Sequence, residues 1–298
     1  MPMIKENIVM SALRSITDQE IADFERDGFV KLPQILPSEW VDRLREVIQT
    51  LYVDGVVRST EAETLEKLAN AAGDDLLSDG GSALTGRFCF STNVWKDHPS
   101  LKALCLGAPL PELAAQLYRS PKVNFLIDQI FLKEPGAARR TAFHQDESYF
   151  NCTGEQCATF WIPVDIVDKA NGAMGYVPGS HLWGRQFAAN MFVSQTTLPG
   201  SAGERIPDIE GNEEKYGVRY VETVPGDIIV HHYRTLHGST GNTDPSRIRR
   251  AAALRYGGAD LRYHLRTQAD MTSPSLREGD VMDSPEFPIV WEDRTPVA

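Results

Sequence analysis

The chain is poor in cysteine, poor in basic charge, and without a long apolar run, and each shortage excludes something. Cys89, Cys105, Cys152 and Cys157 are the whole thiol complement of 298 residues. That is too few and too scattered for a disulfide framework, so reduced thiols are expected. Cys152 and Cys157 are spaced in a way zinc permits, but no second Cys/His pair repeats the spacing, and ordinary packing is the expected role. Thirty Lys and Arg stand against 41 Asp and Glu, a formal charge of −11. Nucleic acid or an anionic membrane would need a basic stripe, so neither is an expected partner. No stretch approaches the roughly eighteen apolar residues of a membrane span. Met1 to Met10, with Lys5 and Glu6 inside it, lacks the order of a signal peptide. Internal repeats and low-complexity tracts are also missing. These absences point to a cytoplasmic protein whose partner is a small-molecule substrate.

What is present is a hydrophobic content of 42%, enough at this length for a sizeable core. One domain over residues 1–298 is expected: helical to about 120, β-rich from about 121 to 260, then a polar tail. Thr17-Asp18-Gln19-Glu20 is a capping-box pattern, with Ile21 and Phe24 following at helical spacing and Gly28 as the stop. Asp27 to Leu32 reads as a turn into a short strand. From Ser38, Trp40, Val41, Leu44, Val47, Ile48 and Leu51 mark a second helix. Further helical patterns run through Glu61 to Ala71 and Pro111 to Tyr118. After Pro121 the period changes to two, through Val123, Phe125, Ile127, Gln129, Phe131 and Lys133. Ala158 to Val164, Met174 to Val177, Val218 to Thr223, Ile228 to His232 and Ala251 to Tyr256 are further strand candidates. Leu182 to Gly217 is long, polar and glycine-containing, either a lid over a site or a disordered insertion.

His144-Gln145-Asp146 places an imidazole and a carboxylate two residues apart, and on extended backbone residues i and i+2 share a face. The spacing is common, so the context decides. Pro225-Gly226-Asp227 turns into the apolar Ile228 to Val230, and His237-Gly238-Ser239 follows. Two histidines and one carboxylate, three positions left open, are the ligand set of non-haem Fe(II) oxygenases. Arg247, Arg249 and Arg250 come next; an arginine on a buried strand must find a carboxylate, and its planar fork suits a dicarboxylate. The competing reading is a metal-binding β-barrel without oxygenase activity, holding zinc or structural iron on the same His/Asp/His set. The arginine cluster weighs against it. His231 and His232 are adjacent strand residues that face opposite ways, and they join His181, His98 and His264 as histidines assigned to structure.

With these residues assembled, the chain resembles the phytanoyl-CoA dioxygenase-like members of the Fe(II)/2-oxoglutarate-dependent oxygenases. The markers run in order: Asp27-Gly28-Phe29-Val30, Phe131-Leu132-Lys133-Glu134-Pro135-Gly136, Phe143-His144-Gln145-Asp146, Trp161-Ile162-Pro163-Val164-Asp165, Asn171-Gly172-Ala173-Met174, Val177-Pro178-Gly179-Ser180-His181, Pro225-Gly226-Asp227 and His237-Gly238-Ser239. The resemblance implies a mainly β fold with flanking α-helices, built on a double-stranded β-helix (jelly-roll, cupin-like) core. It implies Fe(II), 2-oxoglutarate and O2 as cofactor and cosubstrates, with succinate and CO2 released as a small organic molecule is oxidised, hydroxylation being the usual outcome. His144, Asp146 and His237 match the iron ligands. The family's 2-oxoglutarate anchor is usually an arginine eleven residues after the second histidine, which here is Ile248. A one-residue insertion in the preceding turn makes Arg249 the expected anchor, with Arg247, of the same parity, as the alternative. Ser239, Trp161, Gln129 and Lys133 are expected in the same pocket. Halogenating relatives replace the carboxylate ligand by a small residue, and Asp146 disfavours that chemistry.

Overall fold

The computed structural model describes residues 10–57, 86–266 and 271–293, and it begins with the helix that the capping box announces. In α1 (Asp18–Asp27) the Thr17 side chain accepts the Glu20 N–H while the Glu20 carboxylate accepts the Thr17 N–H, so two of the helix's orphan donors are satisfied. Gly28 ends it at φ +79°. A Cβ there would sit 2.4 Å from both His181 and Thr235, so only glycine lets α1 turn directly into the sheet. In α2 (Ser38–Val53), Trp40, Val41, Leu44, Ile48 and Leu51 are buried, the face the spacing selects. Two short helices follow, α3 (Pro99–Leu106) and α4 (Leu110–Tyr118). The helix expected over Glu61 to Ala71 lies outside the described residues.

Two antiparallel sheets form the jelly roll. The larger has seven strands: β1 (Phe29–Leu32), β9 (Ile228–His232), β6 (Cys157–Pro163), β11 (Arg249–Gly258), β3 (Lys122–Lys133) and β13 (Ile289–Glu292) in that order, with β2 (Phe88–Thr92) also on β3. The smaller runs β4 (Thr141–His144), β10 (His237–Ser239), β7 (Met174–Tyr176), β8 (Arg219–Val221). Alternation sorts the larger sheet's side chains. Val30, Val230, Phe160, Ile162, Ala252 and Leu254 pack with the helices. Phe29, Ile229, Trp161, Ala251 and Ala253 point inward, where Met174 and Tyr176 of the smaller sheet meet them.

The period-two pattern expected along β3 is interrupted. Arg255 pairs with Ile127 while Tyr256 pairs with Phe125, so Leu126 is an extra residue, a β-bulge. Val123 and Phe125 therefore join Ile130 and Leu132 in the helix-facing core, and Gln129 and Phe131 turn toward the interior. The bulge re-aims half a strand at the site.

The polar tail expected after Asp260 is a correction. β12 (Arg262–Tyr263) pairs with β5 (Cys152–Thr153), and β13 pairs with β3. Tyr263, Met271, Met282 and Phe287 are buried with Leu126, Phe150 and Tyr233. Those apolar residues are too widely spaced for any period to show. Leu182 to Gly217 also packs down: Phe187, Ile206 and Ile209 are buried against Phe143 of β4 and Leu236. No helix among the described residues is long and apolar enough to cross a membrane.

Candidate metal centre and the adjoining cavity

His144 ends β4, His237 begins β10, and the two are directly paired across the smaller sheet. Gln145 keeps an extended backbone at φ −105°, ψ 138°, so Asp146 returns to the side of His144 before the chain enters a 3-10 turn. Gln145 points the other way, donating to the Arg234 carbonyl at 2.7 Å and accepting from the Phe187 N–H at 3.1 Å. His144, Asp146 and His237 are all buried, each offering one ligand atom within 4.8 Å of the others.

The histidines are held in one orientation. Nδ1 of His144 lies 2.8 Å from the Ala142 carbonyl, and Nδ1 of His237 lies 2.8 Å from the Thr235 carbonyl. A carbonyl only accepts, so each Nδ1 carries the proton and each Nε2 presents a lone pair. Burial, with His231 and His144 close by, pushes His237 well below its usual range, toward the neutral ring a metal requires. Oδ1 of Asp146 is 3.7 Å from His144 Nε2 and 3.8 Å from His237 Nε2. Burial alone would raise Asp146, but Arg255 and the surrounding imidazoles outweigh it and hold the carboxyl well below its ordinary value. Two neutral imidazoles and one carboxylate on one face fit a hard-to-borderline divalent ion, Fe(II) included.

From the triad a cavity runs between the sheets to Arg249, lined among others by Thr141, Trp161, Met174, His231 and Ser239. The Arg249 side chain is 2% exposed. Its Nε has no hydrogen-bond partner, and it makes no ion pair among the described residues. Burial lowers it to about 10. The guanidinium lies 5.8 Å from the Trp161 ring centroid. Gly172, at φ +112°, makes room for it, since a Cβ there would come within 2.9 Å of Nε. Lys133 is buried beside it, donating to Ser239 Oγ at 3.0 Å and to the Thr240 carbonyl at 2.6 Å. Burial together with Arg249 and Arg140 drives the Lys133 amine well below its ordinary value. Arg249 is thus a buried guanidinium without an ion pair among the described residues, offset only by Asp165 beyond ion-pair distance, and such a charge calls for an anion in the cavity.

The sequence-expected residues separate accordingly. Arg249, Ser239 and Trp161 line the cavity and Lys133 holds Ser239. Arg247 does not reach it: it pairs with Asp168 at 2.7 Å and Asp244 at 2.6 Å on the surface. Parity fails because Arg247 precedes β11, in a turn where Asp244 accepts the Ser246 and Arg247 N–H groups. Gln129 is also displaced from its expected place. It accepts from Arg255 Nη2 at 3.0 Å and lines a second recess on the Asp146 side, with Thr92, Tyr149, Phe150 and Phe192.

Sequence reasoning missed His231, Thr159, Arg255 and Phe192. His231 was assigned to structure, yet it faces inward beside Asp146 and lines the cavity. The alternation that set His231 and His232 on opposite faces already required one of them to face the site. Thr159 is two residues before Trp161 and Arg255 six after Arg249, even spacings that parity alone exposes. Phe192, at φ +62°, had no signal; its ring lies 5.0 Å from that of His144. His232, by contrast, packs behind the sheet near Phe24 and His181, and His264 pairs with Glu278.

A jelly roll with a buried His-Asp-His triad and a buried basic anchor defines a class, the 2-oxoglutarate-dependent non-haem iron dioxygenases. The chain belongs to the phytanoyl-CoA dioxygenase (PhyH) family, whose model matches residues 24–251. A probable phytanoyl-CoA dioxygenase from Caenorhabditis elegans is 25% identical over 257 residues, 80% of this chain and 74% of that one. Among solved structures, the non-heme alpha ketoglutarate dependent carbocyclase SnoK from nogalamycin biosynthesis superimposes with a TM-score of 0.64 at 24% identity, over 93% of this chain and 97% of that one. The epimerase SnoN from the same biosynthesis gives 0.64 at 21% identity, over 94% and 98%. Both show the same fold.

Proposed function

We propose that this protein oxidises an unactivated C–H bond of a small organic molecule, with hydroxylation as the outcome, at iron held by His144, Asp146 and His237. Bound iron and 2-oxoglutarate, with O2, supply the oxidant for that step as the cosubstrate is converted to succinate and CO2. The chain's own residues do the rest. The two histidines present fixed Nε2 lone pairs, and Asp146 supplies the anionic ligand. Arg249 takes the distal carboxylate of 2-oxoglutarate with help from Ser239, whose hydroxyl is steered by Lys133. Substrate then enters from the Asp146 side, into the recess bounded by Gln129, Tyr149, Phe150 and Phe192, and those walls shut water away from the ligand set.

The observation that carries this reading is the burial of Arg249 without an ion pair among the described residues. A metal-binding barrel with no cosubstrate gains nothing from a buried guanidinium without an ion pair, a state that costs several kcal/mol. Occupation of the carboxylate position by Asp146 favours oxygenation over halogenation.

The reading predicts that Arg249→Met raises the KM for 2-oxoglutarate about 100-fold, the loss of a charge-assisted pair worth about 2–3 kcal/mol. Arg247→Ala leaves that KM unchanged, because its partners lie on the surface. Succinate release measured across a 2-oxoglutarate titration distinguishes the two, and a KM that follows Arg247 instead would refute the assignment.

A further inference from the structure

The two oxygens of Asp146 have different surroundings. Oδ1 faces the Nε2 atoms of His144 and His237. Oδ2 is turned into the protein, 2.5 Å from Thr159 Oγ1, 3.5 Å from His231 Nε2 and 3.9 Å from Arg255 Nε. We propose that Thr159, His231 and Arg255 form a clamp that commits Oδ2 to the protein, so that Asp146 ligates the metal through Oδ1 alone. The inference rests on the metal reading of the triad and makes these three side chains positioning residues for it.

Each member of the clamp has its direction fixed by a further partner. Arg255 Nε donates to Thr159 Oγ1 at 3.3 Å, and the guanidinium has nothing to accept with, so the threonine's single proton goes to Asp146. Arg255 is itself pinned by the Ala253 carbonyl at 3.2 Å, by Gln129 Oε1 at 3.0 Å and by the Phe150 ring beneath it. His231 is held from behind: the Tyr176 hydroxyl lies 3.2 Å from Nδ1, and Tyr176 is stacked on Phe29 at 4.5 Å. When Tyr176 donates to Nδ1, Nε2 keeps its proton and directs it to Oδ2. The opposite tautomer would aim a lone pair at a buried carboxylate. At 3.5 Å Nε2 stops short of a hydrogen bond to Oδ2 and has no other partner, so His231 acts on that oxygen electrostatically. Every group in the chain from Gln129 through Arg255 and Thr159 to Asp146 is buried, which strengthens these bonds.

The consequence is a count of coordination positions. Two histidines and a carboxylate bound through both oxygens occupy four of the six octahedral positions, whereas binding through one oxygen occupies three. The clamp thus preserves a third free position, and it does so through residues that act on the metal by way of Asp146.

The test uses Co(II), which is stable in air and reports its coordination through d–d absorption, on the full chain. Thr159→Val keeps the shape and removes the donor. It is expected to weaken Co(II) binding by about 10–100-fold, the usual effect of losing such a partner, and to alter the d–d spectrum, with Thr159→Ser restoring both. His231→Leu is the second variant, expected to move the spectrum in the same direction, and it serves if Thr159→Val does not fold. Wild-type affinity and an unchanged spectrum in the folded variants overturn the clamp, even if turnover falls. Failure of the wild-type chain to bind Co(II) at all overturns the metal reading instead, and the clamp with it.

Discussion

The guanidinium of Arg249 lies at one end of the cavity with the Lys133 amine buried beside it, and His144 and His237 lie at the other, next to the carboxylate of Asp146. On the proposed function, that division of charge would orient a dicarboxylate, with one end at Arg249 and the other at the metal. It also makes Asp146 the residue with the least tolerance, since removing it leaves Arg255 buried without its only carboxylate neighbour within 4 Å among the described residues. Asp146→Ala is expected to abolish iron-dependent succinate formation and to weaken metal binding by well over tenfold. Titration of the purified variant with Fe(II) under anaerobic conditions checks the second effect separately. Retention of full turnover by that variant would mean the carboxylate ligand has been misassigned.

The elements that deliver these residues differ in how openly the sequence declares them. α1 is written into Thr17, Glu20 and Gly28, and Thr17→Ala should cost about 1 kcal/mol, read as a lowered denaturation midpoint with activity retained. β9 and β10 follow from Pro225-Gly226-Asp227 and the apolar run behind it. β3 is harder, because the bulge at Leu126 reverses its faces and no residue type marks a bulge there. The segment after Asp260 was illegible for another reason: Met271, Met282 and Phe287 are buried one at a time from irregular backbone. The His-Asp-His triad was therefore readable from motif and strand parity; parity also turns Thr159, Arg255 and one of His231 and His232 inward, but that they meet at Asp146 depends on the register between β6, β9 and β11.

β3 carries a second consequence. Asp128 faces the helical side and receives the Val94 and Trp95 N–H groups, yet burial raises its carboxyl to about 6, the backbone donors and Arg255 only partly offsetting this. The folded value lies above the ordinary one of 3.8. Its contribution to stability is therefore fully present below about pH 4 and is lost as pH rises through about 6. Relative to Asp128→Asn, the wild type should lose on the order of 2–3 kcal/mol across that window. Melting temperatures of both proteins at several pH values test the sign.

At the scale of the whole molecule, the helices cover one face of the larger sheet and leave its other face to the site. The outward side chains supply stability and the inward ones chemistry, along the same strands. The similarity in fold to SnoK and SnoN, a carbocyclase and an epimerase by their descriptions, shows that this scaffold does not dictate the outcome of oxidation.

The central claim is that the buried triad and Arg249 together run 2-oxoglutarate turnover at iron. Succinate formed from 2-oxoglutarate under air, with Fe(II) present and after its removal by a chelator, tests it most directly. The account predicts slow turnover even without substrate, dependent on Fe(II) and lost in Asp146→Ala and Arg249→Met. Succinate formation that persists without iron, or a complete lack of it in the iron-loaded protein across small organic substrates, would contradict the account.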